Sequence, residues 1–378
     1  MFIVPHDYSI IEHAGETMPL SDILRNNLNW NKAGIDLLAN MIIALIKVRT
    51  VCLTEIATAL SGKAKKDSKY KRLQRFFHFF PMDFESVGRI IAGILPIFKE
   101  KWTLSIDRTN WKLGKTNINI LVLGICYRGI CFPIIWISLN KRGNSNTRER
   151  ITVMNKFIKL FGKEKIRCLT ADREFIGIDW FKYLLNESVH FRIRIRENFQ
   201  IASSKGNKVD IKVFFRNLKP GQTRILSRPR EICGVKMSVI GHKLQTGEYL
   251  ILVTDSHPES VMEDYKLRWN IETLFACLKT RGFDFEATHI TDLDRINKLV
   301  AVLAITFCWC HITGEWLHQQ KPIKIKKHGR PSVSIFRYGL DCLREIVFNL
   351  PGNRRKFNQA IRVFSRQLEL NRVAVGAC

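Results

Sequence analysis

The segment ESVMEDYKLRWNIETLFACLKTR, from about Glu259 to Arg281, constrains the fold of this chain more than any other stretch of its sequence. It predicts one amphipathic helix, because polar and apolar residues separate on a wheel of about 100° per residue. Four polar side chains then share a narrow stripe: Tyr265, Arg268, Glu272 and Lys279. The opposite face carries aliphatic side chains: Leu267, Ile271, Leu274 and Leu278. We therefore expect one face to pack on a sheet and the other to present a carboxylate among cations.

The polar stripe has two interpretations. Cations beside a single carboxylate suit a site that holds a metal ion and a phosphate group together. The alternative is an ordinary solvated helix face, which the helix taken alone would favour. Acidic residues earlier in the sequence favour the first interpretation.

Two aspartates extend this pattern. The segment Trp102–Asp107 predicts a strand that ends in Asp107, and Ile166–Ala171 predicts a fourth strand, which is followed by Asp172. Strand ends in an α/β sheet meet at one edge, and a helix across the sheet can bring Glu272 to the same point. Three carboxylates without histidine or cysteine suit Mg²⁺ or Mn²⁺, and two such ions about 3.5–4 Å apart would clamp a phosphodiester. The alternative is that both aspartates are ordinary turn residues.

The charge balance indicates a polyanionic partner. The 378 residues include 61 Lys and Arg against 34 Asp and Glu, which gives a net charge of +27 and a pI near 9.9. We expect nucleic acid, with a ribosomal role, a membrane surface or plain solubility as alternatives. The ten cysteines include no Cys-x2-Cys pair, which predicts reduced thiols in a cytoplasmic protein. The apolar stretch Leu299–Thr313 is too short for a span and predicts a buried helix, so we expect no membrane partner.

The order of predicted elements indicates an α/β core between two helical regions. The pattern is helical up to about residue 99 and becomes strand-like at Trp102. Three strands, a helix, a strand, a helix and a strand follow, and then a stretch rich in Thr, Val, Ile, Gly and Lys predicts short strands. The predicted divisions are 1–99 (helical, DNA-binding), 100–198 (first part of the core), 199–254 (β-rich insertion), 255–315 (the amphipathic helix and the next helix) and 316–378 (basic linker and helical C-terminal region).

Cationic patterns accompany these elements. The run GKAKKDSKYKRLQRFFHFF predicts a basic loop and then a helix that ends in the aromatic cluster Phe76–Phe80. Phosphate contact is the role we expect for its cations, with a solvated loop as the alternative: Lys65, Lys66, Lys69, Lys71, Arg72 and Arg75. A second basic run lies at 321–330. In Val189–Arg196, apolar residues alternate with arginines, which predicts a strand with one buried and one cationic face.

The acidic segments resemble a known family, the bacterial DDE transposases of the insertion-sequence-four group. The family signature Tyr-x2-Arg-x3-Glu-x6-Lys is matched at every step by four residues: Tyr265, Arg268, Glu272 and Lys279. The first acidic motif resembles SIDRTNW at 105–111, and the second resembles TADREF at 170–175. The resemblance covers roughly residues 100–310 and is specific because all three acidic regions occur in order.

The resemblance implies a ribonuclease H-like fold. This is an α/β, mixed-sheet catalytic core with a β-rich insertion, between helical N-terminal and C-terminal regions. It implies Asp107, Asp172 and Glu272 as catalytic ligands of two Mg²⁺ or Mn²⁺ ions, and the tyrosine, arginine and lysine of the signature as residues that hold transposon-end phosphates. Some relatives continue the second motif as Asp-Arg-Glu-Ala-Asp, whereas Phe175 and Ile176 stand here, so Glu174 is given no metal role.

The resemblance also implies an activity. The protein is expected to be a DNA transposase that binds the terminal inverted repeats of an insertion sequence and catalyses metal-dependent strand cleavage and transfer. Its expected partner is double-stranded DNA, with a dimer in the synapse and a nucleoid-associated location in a bacterium. Alternatives are a DNA-binding regulator, a domesticated inactive transposase or a ribonuclease H-like nuclease. The insertion lacks the tryptophan on which hairpin-forming relatives stack a flipped base, so the cleavage pathway stays open.

Overall fold

The computed structural model describes residues 19–203 and 206–375. The start of the predicted region 1–99, two residues of the predicted insertion and the end of the predicted region 316–378 therefore lie outside the described residues. Within them, a central mixed sheet is flanked by helices. The mixed α/β class predicted from the sequence is confirmed.

The N-terminal part of the described chain is helical, as predicted. Its helices are α1 (Leu20–Asn27), α2 (Lys32–Val48), α3 (Leu53–Ala59), α4 (Lys66–Phe79) and α5 (Phe84–Ile94). Asn31 caps α2, because its side chain accepts a hydrogen bond of 2.8 Å from the backbone N–H of Gly34. Helix α4 begins at Lys66, so the predicted basic loop is wrong for most of its length, and its cations are carried by a helix.

The core alternates strands and helices in the predicted order. Its elements are β1 (Trp102–Leu113), β2 (Thr116–Tyr127), β3 (Ile130–Ser138), α6 (Thr147–Phe161), β4 (Ile166–Ala171), α7 (Ile178–Asn186) and β5 (Phe191–Ile195). Strand β1 does not end at Asp107 as predicted, because its antiparallel pairing with β2 continues to Leu113 opposite Thr116. Helix α6 has the predicted bounds, since Asn146 and Glu149 form a capping box at its start.

The predicted β-rich stretch does contain short strands. They are β6 (Gln200–Ala202), β7 (Lys208–Asp210), β8 (Thr223–Ile225), β9 (Arg230–Ile232), β10 (Val235–Lys243) and β11 (Tyr249–Thr254). Strands β6 and β7 pair with each other, whereas β11 pairs with β5 and β10 pairs with β11, β8 and β9. Most of this stretch thus extends the central sheet, and its limits as a domain stay a prediction.

The order of the central sheet places its parallel strands in the middle. The path is β3-β2-β1-β4-β5-β11-β10-β8, with β9 beside β10. Strands β1, β4 and β5 are parallel, and the strands on either side are antiparallel. Parallel strands bring the carboxyl ends of consecutive βα units to one edge, which is where ligand sites of α/β sheets form.

The amphipathic segment forms two helices, so the prediction of one continuous helix is wrong. They are α8 (Val261–Lys266) and α9 (Trp269–Leu278). Between them the backbone tightens, because the N–H of Leu267 bonds to the carbonyl of Asp264 and that of Arg268 to Tyr265, at 3.2 and 3.0 Å. The thiol of Cys126 on β2 donates to the Leu267 carbonyl at 3.4 Å, which ties the turn to the sheet.

Helix α8 is anchored to the sheet by a buried acid. Asp264 is 5% exposed and pairs with Arg167 Nη2 at 2.8 Å and with Arg192 Nε at 3.1 Å. Arg192 also donates to Thr254 Oγ1 at 2.7 Å. The predicted cationic face of β5 is therefore wrong at Arg192, whose side chain is only 4% exposed and faces the packed helix.

The C-terminal elements complete the core. They are α10 (Leu293–Gln320), α11 (Ile335–Phe348) and α12 (Arg354–Val375). Helix α10 is long and apolar enough to cross a membrane. However, 94% of its apolar 18-residue stretch is buried inside the protein. The predicted buried helix is thus confirmed. Helices α10 and α11 cross at Gly314 and Gly339, where a Cβ would lie within 2 Å of backbone oxygens.

Candidate active site

Asp107 of β1 and Asp172, which directly follows β4, occupy neighbouring positions on two adjacent parallel segments. In the register of β1 and β4, Ile106 is paired with Ala171, and each aspartate is the next residue. Strand β4 ends at Ala171, whereas β1 continues past Asp107. The predicted pair is therefore brought together at the end of β4, although Asp107 lies within its own strand.

One arginine links Glu272 to these aspartates. Arg268 Nη1 lies 3.4 Å from Asp107 Oδ2, and Arg268 Nη2 forms an ion pair with Glu272 Oε1, four residues later on α9. The Arg268 side chain is only 7% exposed, whereas that of Glu272 is 52% exposed. The buried arginine thus lies between an acid of the sheet and an acid that faces solvent.

The environment of Asp107 disfavours its charge. Burial raises the pKa of its carboxyl group to about 7. The backbone N–H of Arg108, which donates to Oδ1 at 2.7 Å, and the charge of Arg268 lower this pKa in part. The negative charges of Glu174 and Asp172 raise it. Ionised Asp107 would therefore be stabilised by a further cation nearby.

The donor set fits a divalent cation. Three carboxylates offer hard oxygen ligands, and Asp172 Oδ1 is buried without a hydrogen-bond partner among the described residues. A cation here would satisfy that oxygen and offset the repulsion from Asp107. Within residues 19–203 and 206–375, however, no group of three or more Asp, Glu, His or Cys side chains lies close enough together to hold a metal ion. The guanidinium of Arg268 lies between Asp107 and Glu272.

A group of side chains that the sequence prediction missed holds the two aspartate-bearing segments together. Arg108 forms a two-pronged ion pair with Glu174, with distances of 2.8 and 2.9 Å, and also donates to Asn119 and Asn144 at 3.1 and 3.0 Å. Arg150 donates to the Glu174 carbonyl at 2.8 Å. The sequence signal for this contact is the arginine directly after Asp107 and the glutamate two residues after Asp172.

The remaining members of the polar stripe, Tyr265 and Lys279, have different contacts. Tyr265 is 2% exposed, its ring centroid lies 5.9 Å from the Arg268 guanidinium carbon, and burial raises the pKa of its phenol. Lys279 caps the end of α9 and pairs with Glu286 at 2.7 Å. Tyr265 and Arg268 thus lie beside the acids, whereas Lys279 lies beyond the last turn of α9.

An exposed tryptophan flanks the same arginine. Trp269 is 50% exposed, and its ring centroid lies 5.8 Å from the guanidinium carbon of Arg268. The sequence prediction did not assign Trp269 a role, although it stands inside the signature.

The predicted phosphate-contacting cations on and beside α4 fall into two groups. Five are exposed: Lys65, Lys66, Lys71, Arg72 and Arg75. Lys69 is half-buried, and its Nζ donates to the Leu60 carbonyl at 2.6 Å, which is a contact within the N-terminal helices. The cations of the second basic run, at 321–330, are also exposed. DNA contact by the cations of α4 and by those of residues 321–330 stays a prediction.

A comparison with known protein families matches residues 99–309, more than half of the chain, to the transposase DDE domain. The chain therefore belongs to the DDE transposase family, and the ribonuclease H-like fold expected from the sequence is confirmed. It is a transposase-type enzyme with DNA as its substrate class, in a family that usually employs divalent metal ions. No curated protein matches the chain in a sequence comparison.

Proposed function

We propose that this protein is the transposase of an insertion sequence of the insertion-sequence-four group. It binds the terminal inverted repeats of its own element and catalyses strand cleavage followed by strand transfer. The observation that carries this proposal is the position of the acids: Asp107 lies beside Asp172 at the end of β4, and Arg268 links Asp107 to Glu272. The match of the signature spacing supports the choice of group.

The proposed reaction consists of two in-line displacements. Water first attacks the phosphodiester at the end of the element, so that a bond forms between its oxygen and phosphorus and the bond from phosphorus to the 3′ oxygen breaks. The freed 3′-hydroxyl then attacks a phosphodiester of target DNA, joins the element to the target and releases a target 3′-hydroxyl. Two Mg²⁺ or Mn²⁺ ions, when bound, supply Lewis-acid stabilisation of the charge on the attacking and leaving oxygens.

Each residue of the site is proposed to have the role that the family resemblance implies. The three acids hold the ions, and the unpaired Oδ1 of Asp172 supports this role. Arg268 and Lys279 neutralise phosphate charge, and Tyr265 orients a phosphate by a hydrogen bond. The burial of Tyr265 beside Arg268 supports a fixed geometry, because a side chain packed on all sides has few rotamers to explore.

The DNA duplex is proposed to lie over the basic surfaces outside the core. The exposed cations of α4 and of residues 321–330 supply affinity that does not depend on base sequence and weakens with salt. A synapse holds two element ends, so we propose a dimer in the DNA-bound state. The net charge of +27 supports binding of a long polyanion.

Substitution Glu272→Gln tests the proposal. Loss of one ion ligand removes several kcal/mol of transition-state stabilisation, so cleavage of end DNA with Mg²⁺ should slow by about 100-fold or more. The matched control is Glu263→Gln, which makes the same change at an exposed acid of α8 that pairs only with Lys266 among the described residues. It should cleave at the normal rate.

Three results would contradict the proposal. Normal cleavage by Glu272→Gln would remove the ligand role of this acid. Binding of end DNA without any cleavage or transfer by the unaltered protein would favour a regulator or an inactive copy. Cleavage of branched DNA or hybrids that ignores the end sequence would favour a ribonuclease H-like nuclease.

A further inference from the structure

Arg268 occupies the space between two proposed ion ligands. Its two terminal nitrogens point to different acids, Nη1 to Asp107 and Nη2 to Glu272. Only 7% of its side chain is exposed, so bulk water contributes little to its solvation. Charge pairs in such a setting are screened less than surface pairs. The arginine therefore stabilises the two ionised acids in the way that a metal ion would.

Two other cations near the site pair with acids outside the catalytic set. Lys279 pairs with Glu286, and Arg108 pairs with Glu174. Asp172, the third acid, keeps one oxygen unpaired, so Arg268 neutralises two acids and leaves one open. An ion that arrives at Asp172 must then compete with the guanidinium for Asp107 and Glu272, because a carboxylate oxygen shared with Arg268 is a weaker ligand.

Arg268 also has the properties of a phosphate-binding group. A guanidinium binds phosphate through two parallel hydrogen bonds, and the rings of Tyr265 and Trp269 flank it at 5.9 and 5.8 Å. Its Nε–H is buried without a partner among the described residues. A DNA phosphate would supply an acceptor that this donor lacks. The two sets of partners, acids or phosphate, compete for the same donors.

We propose that Arg268 is an internal counter-ion that couples DNA binding to metal binding. Without DNA, it holds Asp107 and Glu272 and keeps ion affinity low. When an end phosphate binds the guanidinium, both acids are released to hold divalent cations beside Asp172. The consequence is that the ions are held tightly only on DNA. This inference rests on the proposed function, since it concerns the same acids.

The first experiment measures Mn²⁺ binding to the full chain without DNA, by electron paramagnetic resonance of the free ion. Substitution Arg268→Gln removes the competing charge, so the protein should bind Mn²⁺ more tightly by about 5- to 150-fold, the range of typical coupling between sites. Lys266→Gln is the matched control, because it removes one positive charge from α8 but pairs with Glu263 instead of a site acid. It should leave the affinity unchanged.

The second experiment adds a duplex with the sequence that borders the gene. Coupling is reciprocal, so this duplex should raise the Mn²⁺ affinity of the unaltered protein and raise that of Arg268→Gln much less. Ions held by the duplex alone are measured with Asp172→Asn protein and subtracted. An equal rise in both proteins would overturn the coupling.

The outcomes separate this inference from the proposed function. If Arg268→Gln binds Mn²⁺ no more tightly than the unaltered protein, whereas Asp172→Asn abolishes binding, the counter-ion role is wrong and the metal site stands. If no protein binds Mn²⁺ with or without the duplex, the metal site itself is wrong. Should Arg268→Gln fail to fold by circular dichroism, Arg268→Met replaces it, because methionine also removes the charge and keeps a long, unbranched side chain. Tighter Mn²⁺ binding by Arg268→Met supports the proposal, and unchanged binding overturns it.

Discussion

Asp264 and Arg268 lie one helical turn apart, yet the ionic groups around them are built in opposite ways. Asp264 is one acid between two arginines, and both of its oxygens are paired. Arg268 is one cation beside an excess of acids, and one oxygen of the neighbouring Asp172 has no partner in the described part of the chain. The first group is closed, whereas the second can accept further positive charge.

This difference distinguishes a structural ion pair, around Asp264, from a site that can bind a ligand, around Arg268. Removing a buried acid whose oxygens are all paired costs much stability, and such an acid has no free oxygen with which to bind a ligand. Like charges with too few counter-ions repel each other, and an incoming cation relieves this repulsion. The pKa values of such acids are shifted from their ordinary values. Burial is the main cause of the raised pKa of Asp107, and the negative charges of Glu174 and Asp172 add to it. The short helix α8 therefore serves to hold the site in place from outside it.

Breaking the anchor should have the largest effect on stability. Substitution Asp264→Asn leaves Arg192 buried without its acid, which should lower the free energy of unfolding by about 3–5 kcal/mol. The measurement is chemical denaturation, with Glu263→Gln as the control for an exposed neighbour, expected within about 0.5 kcal/mol of the unaltered protein. An unchanged midpoint for Asp264→Asn would mean that α8 is held by apolar packing alone.

Removing a site acid should act in the opposite direction. The pKa of Asp107 is about 7 in the folded protein, above its ordinary value of 3.8, so ionisation destabilises the fold increasingly as pH rises through that window. Substitution Asp107→Asn should therefore raise the free energy of unfolding at pH 8 by a few kcal/mol, since one pKa unit corresponds to about 1.36 kcal/mol. The gain should shrink at pH 5 and cleavage should be lost. A gain of the same size at both pH values would show that the carboxyl group is not the cause.

The smallest effect is expected on the basic helix. Substitution Lys71→Gln removes an exposed cation from α4, which should lower the slope of log affinity against log salt by about 0.9 for DNA. Lys69→Gln makes the same change at a lysine that donates to the Leu60 carbonyl, so it should leave the slope unchanged and lower stability. Fluorescence anisotropy of a labelled duplex at several salt concentrations measures both slopes. A change of slope for Lys69→Gln but not for Lys71→Gln would mean that Lys69, and not Lys71, contacts DNA.

Local patterns predicted much of the fold. The bounds of α6 and β4 agree with prediction because a capping box, a glycine and a short apolar run are all signals within the sequence. The two aspartates could be paired in advance for the same reason, since each follows a recognisable buried strand segment. The end of β1 could not, because its extension depends on pairing with β2, and the residues beyond Asp107 do not specify a partner.

The sequence by itself determined which residues carry the charge and in what order they occur along the chain. It contains Tyr265, Arg268, Glu272 and Lys279 at the signature spacing, and two aspartates after apolar runs. Tertiary structure alone decided which of these charges meet. The turn between α8 and α9 carries no proline or glycine, and it is held by Cys126 and Asp264 through contacts with distant strands. Ion pairs form across space, so only the packed chain could place Arg268 between Asp107 and Glu272 and leave Lys279 with Glu286.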